Sequence, residues 1–514
     1  MNHRVKKGRL IVMKTTKRCL AFLSAAIMLM TAFAGCGKSG TSSSSSGSNV
    51  SNASGGDIQT GDNSAGESME STDSADNSGE NGNSIGGGTT STGKTSGAAT
   101  SSKKTSGSTS SQTVGQTERI DMGGYEFVLG TAYYANYLNS EGVLDPTNPL
   151  MKAVARVEKD YNCKIKFYKF ADVSSAGTAV VNAVLAGDKI CDVAQMQFSR
   201  CRTVAYSNAC HDLKTLKGLD LTSGNFEQAI TDAFTFNKKV YACNIGENSN
   251  VQGLFYNADL LKKYAPGYDV MKMYKEGTWT EAKFEEILRK ISSTSGQKVT
   301  PLVGNTGVMA LSTAVNAGGT SYKSGNKVTF GIVTADGIKA LNYVKRLYND
   351  QLWKYPADTS FATGGAVFTD GAVWNSKSYT SVKNLEFVPW PKGELNKYVV
   401  PAADGIAWCV PKTVKKKEYV GLILNALAES TAEMKKNKVR ELEDNGWSAN
   451  SIAVYNWMQS NHQIDMTTGP DISAYSKKID DSVFVANIQP AAAMQSISAA
   501  AQKIFDDYYK QFIR

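Results

Sequence analysis

The chain has 514 residues, of which 41 % are hydrophobic and 20 % charged, and its formal net charge is +9. This length allows two to four domains of ordinary size. Seven of the positive charges lie between Arg4 and Arg18, which leaves 9 − 7 = +2 for the rest of the chain. Because that remainder has no basic run interleaved with aromatic residues, nucleic acid is not expected as a partner.

The first 35 residues have the pattern of a bacterial export signal. Their basic segment, for which Met1 and Met13 are both suitable start residues, precedes an apolar stretch at residues 20–34. That stretch is shorter than the ~20 residues of a membrane-spanning helix. The small residues before Cys36 resemble the lipobox of bacterial lipoproteins. This resemblance implies a signal peptide over residues 1–35 and a lipid anchor, such as palmitate, at Cys36 on the outer face of the cell membrane. Ordinary cleavage beside a free cysteine is the alternative.

The next segment, residues 36–117, consists almost entirely of Ser, Gly, Thr, Asn and Ala. Such a composition cannot bury enough apolar surface to offset the entropy of ordering, so a disordered linker is predicted. A flexible chain of this length reaches about 50 Å. The folded part is therefore predicted to be residues 118–514, which is enough chain for two lobes with cores of their own.

Six cysteines fall in the predicted folded part, and none of them forms a CxxC pair, which argues against a zinc ribbon or a thioredoxin motif. Two states stay open: disulfides, with Cys201 and Cys210 as the nearest pair, or buried free thiols. The six are Cys163, Cys191, Cys201, Cys210, Cys243 and Cys409.

Strand and helix signals alternate at the start of the folded part. A strand is predicted at residues 125–130, and Asn148 followed by Pro149 predicts a helix start. A strand at residues 164–168, a helix that stops at Gly187 and a short strand at residues 191–194 follow. This βαβαβ order indicates an α/β lobe with a largely parallel sheet.

Two later helices have predicted N-terminal caps. Thr278 and Glu281 have the spacing of a capping box, and Thr334 is a suitable cap for the helix that follows it.

Several segments resemble, in order, landmarks of the extracellular solute-binding proteins of the carbohydrate-uptake type (family 1), the group that includes maltodextrin-binding proteins. One landmark is the turn from Gly187-Asp188 to Asp192-Val193. Another is the Trp279-Thr280 helix start. The matching segments are residues 185–193, 236–241, 254–261, 276–280, 364–374, 388–393 and 410–412.

The resemblance implies an α/β fold of two lobes, the periplasmic-binding-protein-like fold of type II, with hinge strands between the lobes. The chain would cross between lobes near residues 253–256 and again near residues 402–406. It implies a monomer without cofactor or metal that binds a carbohydrate, in particular an oligosaccharide, in the cleft between the lobes. The protein would deliver this ligand to the permease of an ABC importer, and it would not be an enzyme.

Sugars present apolar C–H faces flanked by hydroxyl groups, so their sites need flat aromatic side chains together with polar ones. The turns expected at the cleft supply both kinds, and Trp374 is the leading candidate for a stacking platform. The predicted ligand-binding residues are Tyr133, Asn136, Gln195, Gln197, Arg200, Trp374, Asn375, Asp404 and Trp408.

The sequence offers little support for catalysis or metal binding. His211 and His462 lack the spacing of a metal motif, and the predicted folded part contains no nucleophile-elbow motif. Three alternatives stay open: a ligand-sensing lipoprotein without transport, a secreted glycoside hydrolase, and a binding protein for a peptide or a polyol. Glycoside hydrolysis needs only two carboxylates, which the chain could supply.

Overall fold

The computed structural model describes residues 120–246, 249–304, 315, 318–355, 360–394, 396–402, 405–467, 469–470 and 472–513. The predicted signal peptide, Cys36 and Asp404 lie outside the described residues. No helix in the described ranges is both long enough and apolar enough to cross a membrane.

The strands are short, and most of them belong to one of two sheets. They are β1 Tyr125–Thr131, β2 Cys163–Lys169, β3 Val193–Gln197, β4 Thr235–Phe236, β5 Lys239–Val240, β6 Gln252–Asn257, β7 Thr300–Val303, β8 Tyr322–Ser324, β9 Lys327–Thr329, β10 Trp353–Lys354, β11 Ala366–Ala372, β12 Leu385–Val388, β13 Val400–Ala402, β14 Ile406–Cys409 and β15 His462–Ile464.

Helices connect the strands and make up most of the C-terminal part. They are α1 Pro149–Tyr161, α2 Ala176–Ala186, α3 Phe198–Tyr206, α4 Gln228–Ala233, α5 Ala258–Tyr264, α6 Val270–Glu276, α7 Glu281–Ser295, α8 Ala335–Asn349, α9 Lys417–Ala428, α10 Thr431–Asp444, α11 Ala449–Ser460, α12 Ser473–Asp480, α13 Pro490–Gln495 and α14 Ser498–Lys510. Short 3-10 turns lie at Tyr134–Tyr137, Leu213–Thr215, Gly331–Val333, Val373–Tyr379 and Gln511–Ile513, and a π-helical turn at Asp481–Val485.

The first sheet has the strand order β14-β3-β1-β2. Strand β1 pairs in parallel with β2 and β3, whereas β14 pairs with β3 in the antiparallel sense. One hydrophobic core lies between this sheet and helices α1 and α9, and the opposite face packs on α2 and α3. This sheet and its helices form the first lobe.

The buried carboxylate of Asp192, just before β3, connects this strand to β1. It accepts hydrogen bonds from the Tyr125 hydroxyl (2.6 Å) and the Val128 backbone N–H (2.8 Å), and it forms an ion pair with Lys189 (2.8 Å). A buried charge is tolerated when it is paired and hydrogen-bonded in this way.

The second sheet has the order β10-β7-β11-β6-β12, and all seven residues of its central strand β11 are buried. Helix α7 packs on β7, and α11 packs on β12. This sheet and its helices form the second lobe.

The chain passes from the first lobe to the second in the segment between Cys243 and β6. The backbone of Cys243 forms an isolated β-bridge with Trp408 of β14. The chain returns to the first sheet at β14. Helix α10 also links the lobes, because Met434 packs against the first-lobe core and Leu442 belongs to the core that extends into the second lobe.

Most of the predicted helix signals are confirmed. The Asn148 side chain accepts a hydrogen bond from the Leu150 N–H (2.9 Å), Gly187 ends α2 in the left-handed conformation (φ 81°), and the Thr334 hydroxyl accepts from the Gly337 N–H (3.1 Å). The predicted capping box of Thr278 and Glu281 is wrong.

The cap of α7 is Thr280, whose side chain accepts from the Lys283 N–H (3.3 Å), while the Thr278 hydroxyl donates to the Met273 carbonyl of the preceding helix (3.3 Å).

All six cysteines of the folded part are buried free thiols in the structure.

Candidate functional site

A cavity of about 570 Å³ lies where the two lobes, the segments that cross between them and α10 meet. We call this cavity the cleft. The lining residues are Tyr133, Asn136, Tyr137, Asn148, Pro149, Gln197, Gly246, Ser249, Asn250, Val373, Trp374, Lys377, Gly405, Ile406, Met434, Asn437, Lys438, Glu441 and Tyr455.

The first-lobe wall of the cleft follows from the parallel pairing of β1 and β3. The carboxyl ends of parallel strands meet at one edge of a sheet, where ligand sites of α/β proteins commonly lie. Tyr133, Asn136 and Tyr137 follow β1, and Gln197 is the last residue of β3. Two phenol rings and two amides therefore come together at this edge.

The second-lobe wall carries Trp374, whose side chain is 58 % exposed. It lies in the 3-10 turn that follows β11. The neighbouring Asn375 stabilises the start of this turn, because its side-chain oxygen accepts a hydrogen bond from the Ala372 N–H (2.9 Å). The turn is thus fixed while the indole stays uncovered, as a stacking surface requires.

Three charged side chains face each other in the cleft. The Glu441 carboxylate lies 2.9 Å from the Lys438 ammonium and 3.1 Å from that of Lys377. Burial alone would raise the pKa of Glu441, but the two ammonium groups outweigh burial and hold this pKa below its ordinary value. Glu441 is therefore an ionised, paired carboxylate near neutral pH.

The structure brings four of the predicted site residues together in the cleft: Tyr133, Asn136, Gln197 and Trp374. Asp404 lies outside the described residues, although its neighbour Gly405 lines the cleft.

Two predicted contact residues lie in the interior instead. Trp408 is fully buried, because its side of β14 faces the core of the first lobe. Gln195 is also fully buried, two residues before Gln197 on the same strand, and its side chain bonds to Thr131 and Tyr137.

Two further predicted residues do not reach the cleft lining. Arg200 lies in the first turn of α3, at the point where the backbone of that helix approaches Gly177 of α2. Asn375 is buried and serves as the cap of the Trp374 turn.

Helix α10, none of whose residues is among the predicted site residues, lines the cleft with Met434, Asn437, Lys438 and Glu441. A signal for it existed. Eight of its 14 residues are charged, and a helix that is polar over most of its surface is typical of one that bridges two domains.

A smaller cavity of about 290 Å³ adjoins the cleft and shares the wall residue Tyr455 with it. It lies along α10 and α11 and contains the ion pair of Glu227 and Lys435 (3.1 Å). The remaining lining residues are Asn456, Gln459 and Ser460. A second polar cavity thus lies next to the cleft.

Within the described ranges, no three His, Cys, Asp or Glu side chains are grouped so as to hold a metal ion. The Nδ1–H of His462 donates to the Gln459 carbonyl (2.8 Å). Burial lowers the pKa of His462 and that of His211.

Three solved structures resemble this chain in fold. The cyclic α-maltosyl-1,6-maltose binding protein of Arthrobacter globiformis is 12 % identical, with a TM-score of 0.60 over 75 % of this chain and 100 % of that protein. The GacH receptor of Streptomyces glaucescens, solved unliganded and with acarbose and an acarbose homolog, is 15 % identical, with a TM-score of 0.53 over 75 % of this chain and 99 % of that one. A family 1 extracellular solute-binding protein of Alicyclobacillus acidocaldarius is 14 % identical, with a TM-score of 0.53 over 74 % and 98 %.

These similarities confirm the predicted two-lobed fold of the periplasmic-binding-protein type, with strands that link the lobes. No curated protein sequence matches the chain significantly. Residues 152–436, more than half of the chain, match the family of bacterial extracellular solute-binding proteins, and the chain therefore belongs to that family.

Proposed function

We propose that the protein is the extracellular substrate-binding component of an ABC importer and that it binds an oligosaccharide in the cleft. The observation that carries this proposal is the exposed indole of Trp374, which lines a cavity together with three phenols and five side-chain amides. Indole and phenol rings suit the apolar faces of sugars, and amides suit their hydroxyl groups.

Two features support an oligosaccharide rather than a single sugar. A second polar cavity shares Tyr455 with the cleft, so an elongated ligand that passes this residue would have further polar surface to contact. Two proteins of similar fold bind acarbose or a cyclic maltosyl-maltose, both of which contain several rings.

In this proposal the ligand stacks on Trp374 from the second lobe and contacts Tyr133, Asn136 and Gln197 from the first. A hinge motion of the crossing segments closes the lobes on it, as in other two-lobed binding proteins. The closed form then docks on the permease. The protein acts as a monomer, held at the outer face of the membrane by a lipid on Cys36.

The hydrolase alternative has less support. Glycosidases commonly use two carboxylates, one of which has a raised pKa. Among the described residues that line the cleft, Glu441 supplies the single carboxylate, and its pKa is lowered by two lysines.

A thermal-shift screen against mono- and oligosaccharides, polyols, amino acids and short peptides tests the function. Ligand at 100 times its dissociation constant stabilises a protein by ~2.7 kcal/mol, which such a screen detects easily. We expect a shift with a group of oligosaccharides and no product in the mixture. A shift only with peptides or polyols, or the appearance of product, would contradict the proposal.

The variant Trp374→Ala should bind the identified sugar about fivefold or more weakly, because an aromatic contact contributes about 1 kcal/mol beyond its buried area. Titration calorimetry measures this change. Tyr322→Ala, which removes an exposed ring from the β8–β9 hairpin outside the cleft, is the matched control and should bind as the wild type does. Equal affinities of all three proteins would remove Trp374 from the site.

A further inference from the structure

We propose that Gln195, which does not reach the cleft, is a positioning residue that holds the aromatic wall of the first lobe in its binding geometry. This inference rests on the proposed function, because it assigns the wall formed by Tyr133 and Tyr137 to ligand binding. It differs from the expectation that Gln195 touches the ligand itself.

The side chain of Gln195 lies between the end of β1 and the turn that follows it. Its oxygen accepts a hydrogen bond from the Thr131 hydroxyl (2.6 Å), and its amide N–H donates to the hydroxyl of Tyr137. The Thr131 hydroxyl in turn accepts from the backbone N–H of Tyr133 (2.9 Å). One buried amide is thus connected to both aromatic residues of the wall.

The backbone of Gln195 is fixed from two sides. It pairs with Thr131 of β1 and with Trp408 of β14, and its carbonyl accepts from the Ala132 N–H (3.3 Å). The backbone of a central strand moves little, so a side chain on it has a well-defined position. A ligand-binding residue keeps its geometry when the residues that pack against it and hydrogen-bond to it are fixed in this way.

The supported segment has little local stability of its own. It is a single 3-10 turn, Tyr134–Tyr137, without a side-chain cap at its N-terminus. Isolated turns of this kind are marginal, because few hydrogen bonds offset the loss of backbone entropy. Edge contacts of Tyr134 and Tyr137 with the Phe167 ring, at centroid distances of 5.6 and 6.1 Å, add packing but do not fix the hydroxyl of Tyr137.

Gln195 should therefore lower the entropy that the wall loses when ligand binds, which is how a preorganised site gains affinity. A merely structural glutamine would change the stability of the lobe without loosening this turn in particular. The two roles are separable by experiment.

Gln195→Met is the first test variant, because methionine has a similar length but neither donates nor accepts the two hydrogen bonds strongly. Tyr137→Phe removes only the hydroxyl that receives the Gln195 amide, and it remains informative if the methionine variant does not fold. Thr334→Ala is the control, since it removes a helix cap of α8 outside the cleft and lowers stability by a similar mechanism of lost hydrogen bonding.

Hydrogen exchange of the ligand-free proteins is the primary measurement. We expect faster exchange of residues 132–138 in Gln195→Met and Tyr137→Phe, with no change there in Thr334→Ala. Unchanged exchange of this segment in Gln195→Met, or in Tyr137→Phe alone where the methionine variant does not fold, would overturn the proposal.

Affinity for the sugar found in the ligand screen is the second measurement. Gln195→Met should bind about fivefold to tenfold more weakly, and the losses of affinity caused by Gln195→Met and Tyr137→Phe should be less than additive in the double variant, as expected for residues that share a contact. Additive losses, or an affinity equal to that of Thr334→Ala, would contradict it. If the wild type binds no saccharide, the proposed function fails, while the exchange measurement still decides whether Gln195 fixes the turn.

Discussion

Glu281 lies at the first position of α7 and is largely removed from water, so its charge is poorly solvated. This burial raises the pKa of its carboxyl from 4.5 to about 7, despite an opposing effect of Arg346 and with a smaller upward contribution from Glu394 and Glu285. The positive end of the helix dipole would favour the ionised form. Desolvation outweighs it here.

A raised pKa means that the folded protein binds this proton more tightly than the unfolded chain does. Folding is therefore penalised as the pH rises from about 4.5 to about 7, and the penalty is complete above that range. Glu281→Gln removes the ionisation. It should raise the free energy of unfolding by about 1 to 2 kcal/mol at pH 8, after allowance for partial exposure, and by clearly less at pH 5.

Urea unfolding at the two pH values measures this difference. Glu276→Gln, an exposed carboxylate in the preceding helix, is the matched control and should change stability little at either pH. If Glu281→Gln raised the free energy of unfolding by the same amount at pH 5 and at pH 8, the raised pKa of Glu281 would be contradicted.

Single residues also show how far the sequence could predict the site. The period of a strand puts Gln195 and Gln197 on the same face, since alternate residues of a strand point the same way. What separates them is depth: Gln197 is at the open end of β3, whereas Gln195 is covered by the turn after β1. Gln195 is covered because Tyr137, which is distant in sequence, packs on it. A local sequence pattern does not predict such a tertiary contact.

At the scale of elements, α10 (Thr431–Asp444) approaches the crossing segment very closely. Gly246 has a left-handed backbone (φ 69°), and a Cβ placed on it would lie 2.1 Å from the sulfur of Met434. A glycine is required here for two reasons, the backbone conformation and the space. The contact sets the distance between α10 and the segment that crosses between lobes, and both line the cleft.

Gly246→Ala should lower the free energy of unfolding by about 2 to 4 kcal/mol, about 1 for the left-handed backbone and the rest for overpacking against Met434. Gly142→Ala is the matched control, because Gly142 has a similar φ of 75° but no atom near the position of a Cβ. Gly142→Ala should lower the free energy of unfolding by only about 1 kcal/mol. Chemical denaturation compares the two variants, and equal losses would show that the contact with Met434 is not what requires glycine.

Element starts and stops were predictable where the signal is local. Caps such as Asn148 and Thr334 act within three residues of themselves, so their sequence pattern is sufficient. The wrong prediction of a capping box at Thr278 and Glu281 shows where local sequence signals become insufficient. Both Thr278 and Thr280 are suitable caps, and the choice depends on the pairing of the backbone near Thr280 with Lys392, which is distant in sequence.

At the scale of the whole molecule, the two lobes share more than their crossing strands. One hydrophobic core extends from the α2–α3 face of the first sheet into the second lobe. The C-terminal helix α14 stacks Phe505 on Phe330 (centroids 4.7 Å apart) and Tyr509 on Phe236 of the β4–β5 hairpin (5.5 Å). The hinge motion of the proposed function would therefore pivot about this packed side. No motif of the sequence predicted these aromatic contacts, because they join segments that are distant along the chain.

The proposed lipid anchor belongs to the same scale, because it would decide where the whole molecule works. A diacylglyceryl group is carried by a cysteine sulfur, which serine lacks. We therefore expect Cys36→Ser to move the exported protein from the membrane fraction to the soluble fraction. Its thermal shift with the identified sugar should stay unchanged, since the substitution lies far outside residues 118–514.

Fractionation of cells that express the full chain, followed by immunoblotting, measures this distribution. The wild type should be released from membranes by detergent and not by high salt, because a lipid anchor is held by the hydrophobic effect rather than by charge. Cys19→Ser, which changes the other cysteine of the N-terminal segment, is the matched control and should stay with the membrane. Release of the wild type by high salt, or membrane retention of a Cys36→Ser protein that has lost residues 1–35, would show that the protein is held at the membrane by something other than a lipid on Cys36.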